Sequence, residues 1–158
     1  MSLCDMDAVE QRRRIGTKEI SPVELLESTL KRIEDVNGRV NAIVAMDVDN
    51  ARAEAKFAEQ AVMDGEDLGL LHGLPVGIKD LEATAGLRTT YGSMLYENNV
   101  PETDDLSVEN VREEGAIILA KTNTPEFGAG ANTRNTVYGA TGNPFNTDLT
   151  PAGSSGGS

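Results

Sequence analysis

The chain has 158 residues, 39% of them hydrophobic, 25% charged and 4% aromatic, with no tryptophan and a formal net charge of −12. That length fits one ordinary domain, but so few aromatics make a thin core and fit part of a larger one. The acidic balance argues against nucleic-acid phosphate or an anionic membrane as a direct partner of this surface, no apolar stretch approaches the roughly 18 residues of a bilayer crossing, and the single cysteine, Cys4, leaves no internal disulfide and fits a reducing cytoplasm.

Residues 5–15 read as a short surface helix, with Arg12, Arg13 and Arg14 forming a solvated basic face. Ser21-Pro22-Val23-Glu24 is a helix start: Ser21 suits the N-cap, Pro22 the first helical position, and Glu24 completes a capping box. Leu26, Leu30 and Ile33 recur at helical spacing, and Asn37-Gly38 is expected to end that helix. Residues 42–46 form a short apolar strand. A third helix follows over residues 49–63, with Ala51, Ala55, Ala58 and Val62 as a narrow stripe suited to close packing. Residues 65–71 are a loop, 74–78 a buried strand, and 83–92 a turn-rich, exposed segment. A helix over residues 106–114 leads through Gly115 into 116–120, the clearest buried strand in the chain. Continuous apolar strands between helices indicate a sheet covered on both faces. From Thr122 onward glycine, asparagine and threonine dominate, and a stretch of this kind inside a compact domain is unusual unless it is functional.

Two segments could carry chemistry. Lys79 closes the apolar run Val76-Gly77-Ile78, where a strand end of an α/β sheet would present it. If buried, its ammonium would be costly to keep charged, and a neutral lysine can accept a proton; the alternative is a lysine reaching solvent from the strand end or pairing with Asp80. The loop Gly153-Ser154-Ser155-Gly156-Gly157-Ser158 offers backbone amides and hydroxyls that can crowd a reacting group; the alternative is a flexible linker. His72, the only histidine, sits in a loop where a local hydrogen bond accounts for it. One histidine and one cysteine make no metal-ligand cluster. The pairs Asp104-Asp105 and Glu113-Glu114 read as solvated faces. Thr122-Asn123-Thr124-Pro125-Glu126-Phe127-Gly128 leaves a strand end, where it could line a pocket or form a plain turn.

Taken in order, Gly73-Leu74-Pro75-Val76-Gly77-Ile78-Lys79-Asp80, Thr89-Thr90-Tyr91-Gly92-Ser93, the run from Gly115 through Lys121-Thr122-Asn123-Thr124-Pro125-Glu126-Phe127-Gly128, Gly142-Asn143-Pro144-Phe145-Asn146, and the terminal Ser/Gly loop make the chain resemble the amidase signature family. The resemblance implies an α/β fold with a mixed central sheet flanked by helices, of which residues 1–158 are the N-terminal part of a single domain: a helical start over about 5–64, then core strands and active-site loops over about 72–158. It also implies a Ser–Ser–Lys triad. Lys79 matches the lysine at the base of the proton relay. Ser154 matches the bridging serine, held in that family by a cis peptide bond. Ser155 matches a supporting hydroxyl, and Gly128 a backbone position near the substrate pocket. The acylated serine of the family lies roughly two dozen residues beyond the bridging one, and the oxyanion donors are expected on the same segment; residues 1–158 alone are therefore expected to be inactive. Ala152 stands where the family often has glycine.

The implied reaction takes a small-molecule carboxylic amide to acid and ammonia, with no cofactor and no metal. Thr124-Pro125-Glu126-Phe127 is more similar to the stand-alone amidases, for which a homodimer is possible, than to the Met-Asp-Glu-Phe of the glutaminase component of glutamyl-tRNA(Gln) amidotransferase, which works with partner subunits. A non-catalytic role for the fragment itself is the third reading.

Overall fold

The computed structural model describes residues 2–158, which fall into two compact units. One holds the residues up to Glu34 together with Asp47–Val76 and Glu109–Leu119; the other holds Asp35–Met46, Gly77–Val108 and Ala120–Ser158.

In the first unit, helix α1 (Ala8–Gly16) is opened by Asp7, whose side chain accepts from Glu10 N. Its three arginines divide their work. Arg13 and Arg14 pair with Glu10 and Glu19 on the surface, whereas Arg12 donates to the carbonyls of Leu68 and Gly69, so it is not part of a merely solvated face. Helix α2 (Pro22–Val40) starts on the expected capping box, with Glu24 N to Ser21 Oγ at 3.0 Å and Ser21 N to Glu24 Oε2 at 2.9 Å. Helix α3 (Val48–Asp64) runs from an Asp47 cap to Gly65, and its stripe Ala51, Ala55, Ala58 and Val62 is buried as the spacing predicts. Ile15, Ile20, Leu25, Val62 and Leu74 form the apolar cluster of this unit.

The sheet has three strands, β1 (Ile43–Met46), β2 (Pro75–Lys79) and β3 (Ile117–Thr122), in the order β1-β3-β2. β1 pairs antiparallel with β3, Ile43 opposite Thr122 and Met46 opposite Ala120. Ile117 N donates to Leu74 O, and Asp80 N to Thr122 O, so β2 and β3 ascend together and the sheet is mixed. Every residue of β3 is buried, as its apolar run predicts; β2 is only partly buried, and Gly77 is exposed. Helix α4 (Leu106–Glu113) precedes β3.

In the second unit α2 runs on through Asn37-Gly38 to Val40, past the expected stop. Its end is Asn41, at φ 54 in the left-handed region that asparagine tolerates. Asn37 stays helical and turns its side chain to Ala42 N, Ile43 N and Ile43 O, which sets the chain's exit toward β1. The segment 83–92 is turn-rich but not exposed: Thr84, Leu87, Thr89, Thr90 and Gly92 are buried. Beyond residue 122 the only ladder is a two-residue hairpin, β4 (Arg134–Asn135) with β5 (Gly139–Ala140).

Candidate active site

β2 delivers its last side chain, Lys79, to one face of the sheet and the next residue, Asp80, to the other, as strand alternation requires. Lys79 is half-buried, and its Nζ lies 2.7 Å from Ser154 Oγ, to which it donates. The Gly153–Ser154 peptide bond is cis.

The loop bearing Ser154 is seated on the polar residues that end β3. Thr124 Oγ1 donates to Ser154 O at 3.4 Å, and Thr122 Oγ1 meets Ser158 Oγ at 3.0 Å. Gly157 is buried against Asn123 N and Ala42 O so closely that a Cβ would collide with both. Thr133, 1% exposed, fastens the other side: its N and Oγ1 donate to Ala152 O at 3.0 and 2.9 Å, and Gly156 N donates to Thr133 Oγ1 at 2.9 Å. Asn123 is fully buried beneath the loop, its Nδ2 donating to Thr141 Oγ1 and its Oδ1 accepting from Asn135 Nδ2 and Thr124 N. Such a satisfied buried network holds one geometry, because breaking any member strands its partners. The Ser/Gly segment is a fastened loop, not a linker.

On the opposite face Asp80 is completely buried and accepts from Thr90 N at 3.0 Å and Thr90 Oγ1 at 2.6 Å rather than pairing with Lys79. Burial pushes its carboxyl up, against the pull of those bonds and of Lys121. Lys121 is also completely buried, and burial lowers its ammonium to about 8. Its Nζ donates to Thr84 Oγ1 at 2.7 Å and to Glu82 O.

The remaining candidates are placed as follows. Ser155 is exposed, with its carbonyl accepting from Ser158 N. Gly128 is half-buried at φ 70, and a Cβ there would run into Leu81 Cδ1. His72 is a buried residue of the first unit, its Nε2 2.9 Å from Ala58 O. Asp104 and Asp105 are not idle surface acids, since their carboxylates accept from Ala85 N and Ala83 N at 2.7 and 2.6 Å and close the turns after Asp80. Glu114 likewise accepts from Leu70 N. Among the described residues no group of three or more histidine, cysteine, aspartate or glutamate side chains could hold a metal, and no helix is long and apolar enough to cross a membrane.

Asn123, Thr133 and Lys121 were not singled out by the sequence as site residues. Lys121 carried a signal, a charge closing an otherwise apolar run. Thr133 carried none.

A lysine at a strand end, hydrogen-bonded to a serine in a fastened Ser/Gly loop, defines an α/β protein with a lysine–hydroxyl pair. The Amidase family profile matches residues 24–158, and the chain belongs to the amidase signature family. It is 41% identical over all 158 residues to the first of the glutamyl-tRNA(Gln) amidotransferase subunits, the A-type chain, of Bacillus pumilus and spans 33% of that protein's length. Among solved structures it is similar to a bacterial aryl acylamidase of the family (35% identity, TM-score 0.88, covering 96% of this chain and 32% of that one). It is also similar to the peptide amidase of Stenotrophomonas maltophilia (29% identity, TM-score 0.90, covering 98% and 33%). The chain thus spans about a third of the length of its relatives.

Proposed function

We propose that this chain supplies the lysine and the bridging serine of a Ser–Ser–Lys triad that hydrolyses a carboxylic amide to acid and ammonia. The observation that carries the reading is the 2.7 Å contact between Lys79 Nζ and Ser154 Oγ. In the relay, a neutral Lys79 accepts the Ser154 proton while Ser154 takes one from the nucleophile, and both return it to the leaving nitrogen. The nucleophilic serine and the oxyanion donors belong to sequence outside these 158 residues. Membership of the family and the likeness to an aryl acylamidase and a peptide amidase support amide chemistry. Ser155 is assigned a supporting hydroxyl and Gly128 a backbone place beside the substrate. The single cysteine supports a cytoplasmic setting.

In a version extended over the full length of the relatives, Lys79→Ala and Ser154→Ala each lower turnover of a simple amide by about a hundredfold or more, with the melting temperature preserved. Near-normal rates in either variant refute the assigned roles. The 158 residues alone are expected to turn over no amide; hydrolysis by the purified chain that disappears in Lys79→Ala overturns that.

The curated relatives from the glutamyl-tRNA(Gln) amidotransferases favour a second reading, the glutaminase component of a tRNA-dependent amidotransferase. Thr124-Pro125 in place of Met-Asp weighs against it. Partner subunits that co-purify with the extended protein, together with a preference for glutamine, would decide for the amidotransferase.

A further inference from the structure

The triad reading leaves two fully buried charges without a role, Lys121 and Asp80, and the geometry gives them one. Lys79 is not only the end of β2. It is the first residue of a tight turn in which Glu82 N donates to Lys79 O at 3.0 Å. The backbone orientation at Lys79, and with it the aim of the amine, is therefore set by whatever holds this turn.

Lys121 holds its far end. From β3, whose neighbouring residues Thr122 and Thr124 bond the Ser154 loop, it reaches the opposite face and donates to Glu82 O and to Thr84 Oγ1. Thr84 Oγ1 in turn donates to Glu82 O at 3.1 Å, so amine, hydroxyl and carbonyl close a triangle beneath the turn. Asp80, inside the turn, is fastened to Thr90 by two bonds and to β3 by Asp80 N donating to Thr122 O at 2.9 Å. The ammonium is compensated by the carboxylates around it: Asp80, Glu82, Asp105 and Asp104. The two halves of the contact thus hang from one short stretch of β3. Its threonines hold the loop with the hydroxyl, and Lys121 holds the turn with the amine.

We propose that Lys121 is a positioning residue for the Lys79–Ser154 contact, fixing the turn from residue 79 to 82 so that the Lys79 amine is aimed at Ser154 Oγ. The inference rests on the triad reading, which gives the contact its purpose, but its test needs no turnover.

The test is a brief pulse of acetic anhydride applied to the intact 158-residue chain, with the acetylation rate of each lysine read by peptide mass. Exposed Lys31 and Lys56 serve as internal references. In the unsubstituted chain Lys79 reacts well below the references. Lys121→Met raises its rate about tenfold, the factor expected when a buried hydrogen-bonded group loses its partner. Thr84→Val, which removes one acceptor and keeps the charge, raises it by a smaller factor. Ile117→Ala, a plain core truncation at the other end of β3, lowers the melting temperature and leaves the Lys79-to-reference ratio unchanged. A Lys79 ratio that stays put in Lys121→Met and Thr84→Val overturns the proposal, as does an equal rise in Ile117→Ala. Should Lys121→Met not fold, Thr84→Val decides alone. An unsubstituted Lys79 as reactive as Lys31 sinks the contact and the triad reading as well, whereas unresponsive variants sink only the role of Lys121.

Discussion

Ala152 has φ 68, a backbone setting that costs an alanine but not a glycine, and it stands beside the cis bond in the loop that carries Ser154. Ala152→Gly is expected to relieve that conformation and raise stability by about 0.5–1 kcal/mol, less the extra chain entropy of glycine; urea unfolding checks it, and an unchanged or lower midpoint contradicts it. Asn123→Ala removes the centre of the network under the loop and strands Thr141, Asn135 and Thr124, for an expected loss of about 2–4 kcal/mol by the same measurement. Lys121 makes a pH prediction whose sign is fixed. Its folded value, about 8, lies below the 10.5 of a free lysine, so between these values the unfolded chain binds more protons. Its contribution to stability therefore grows as pH rises from about 8 toward 10.5. Relative to Lys121→Met, the unsubstituted chain should gain in melting temperature between about pH 8 and about pH 9.5; a flat difference refutes it. At this scale the sequence revealed unevenly. Lys79 and Ser154 stood out because each sits in a segment of unusual composition and the order of those segments matches a family. Thr133 and Asn123 look like any polar loop residues until the chain closes around them, since a buried polar side chain is defined by partners ten to twenty residues away.

The helices and strands were more legible than the loops, because periodicity and capping are local. The box at Ser21 and Glu24 is formed as read, and Ser21→Ala should destabilise the chain by about 1 kcal/mol in thermal or urea unfolding; a change near zero would mean that Pro22 alone sets the start. The α2 stop was misread because Asn37-Gly38 has the composition of a terminus, while the actual end is decided by Asn41. That residue's Nδ2 donates to Tyr138 O and Ala140 O, and its carbonyl accepts from Thr141 Oγ1. A residue roughly a hundred positions away cannot be seen in a window of ten. Segment 83–92 failed for the same reason. Its threonines are turn formers, but Asp80 and the carboxylates of Asp104 and Asp105 draw its amides inward.

Across the whole molecule, an excess of twelve negative charges sets the response to salt. The surface ion pairs of Arg13 and Arg14 with Glu10 and Glu19, and of Arg52 with Glu27, are exposed and contribute at most about 1 kcal/mol each. Self-repulsion is longer in range and dominates at low ionic strength. Shortening the screening length from about 30 Å to about 8 Å should therefore raise the melting temperature; a fall on adding salt would show that the pairs outweigh the net charge. The placement of Lys79 and Asp80 on opposite sides of the sheet also bears on how such a chain can vary. Codons can be gained or lost in the connection over residues 65–71 without disturbing which side chain meets Ser154. A single codon gained or lost within Pro75–Lys79 would send a carboxylate to the hydroxyl and an amine to Thr90. Lineages of this protein should therefore differ in the length of their connections while keeping the length of this one strand.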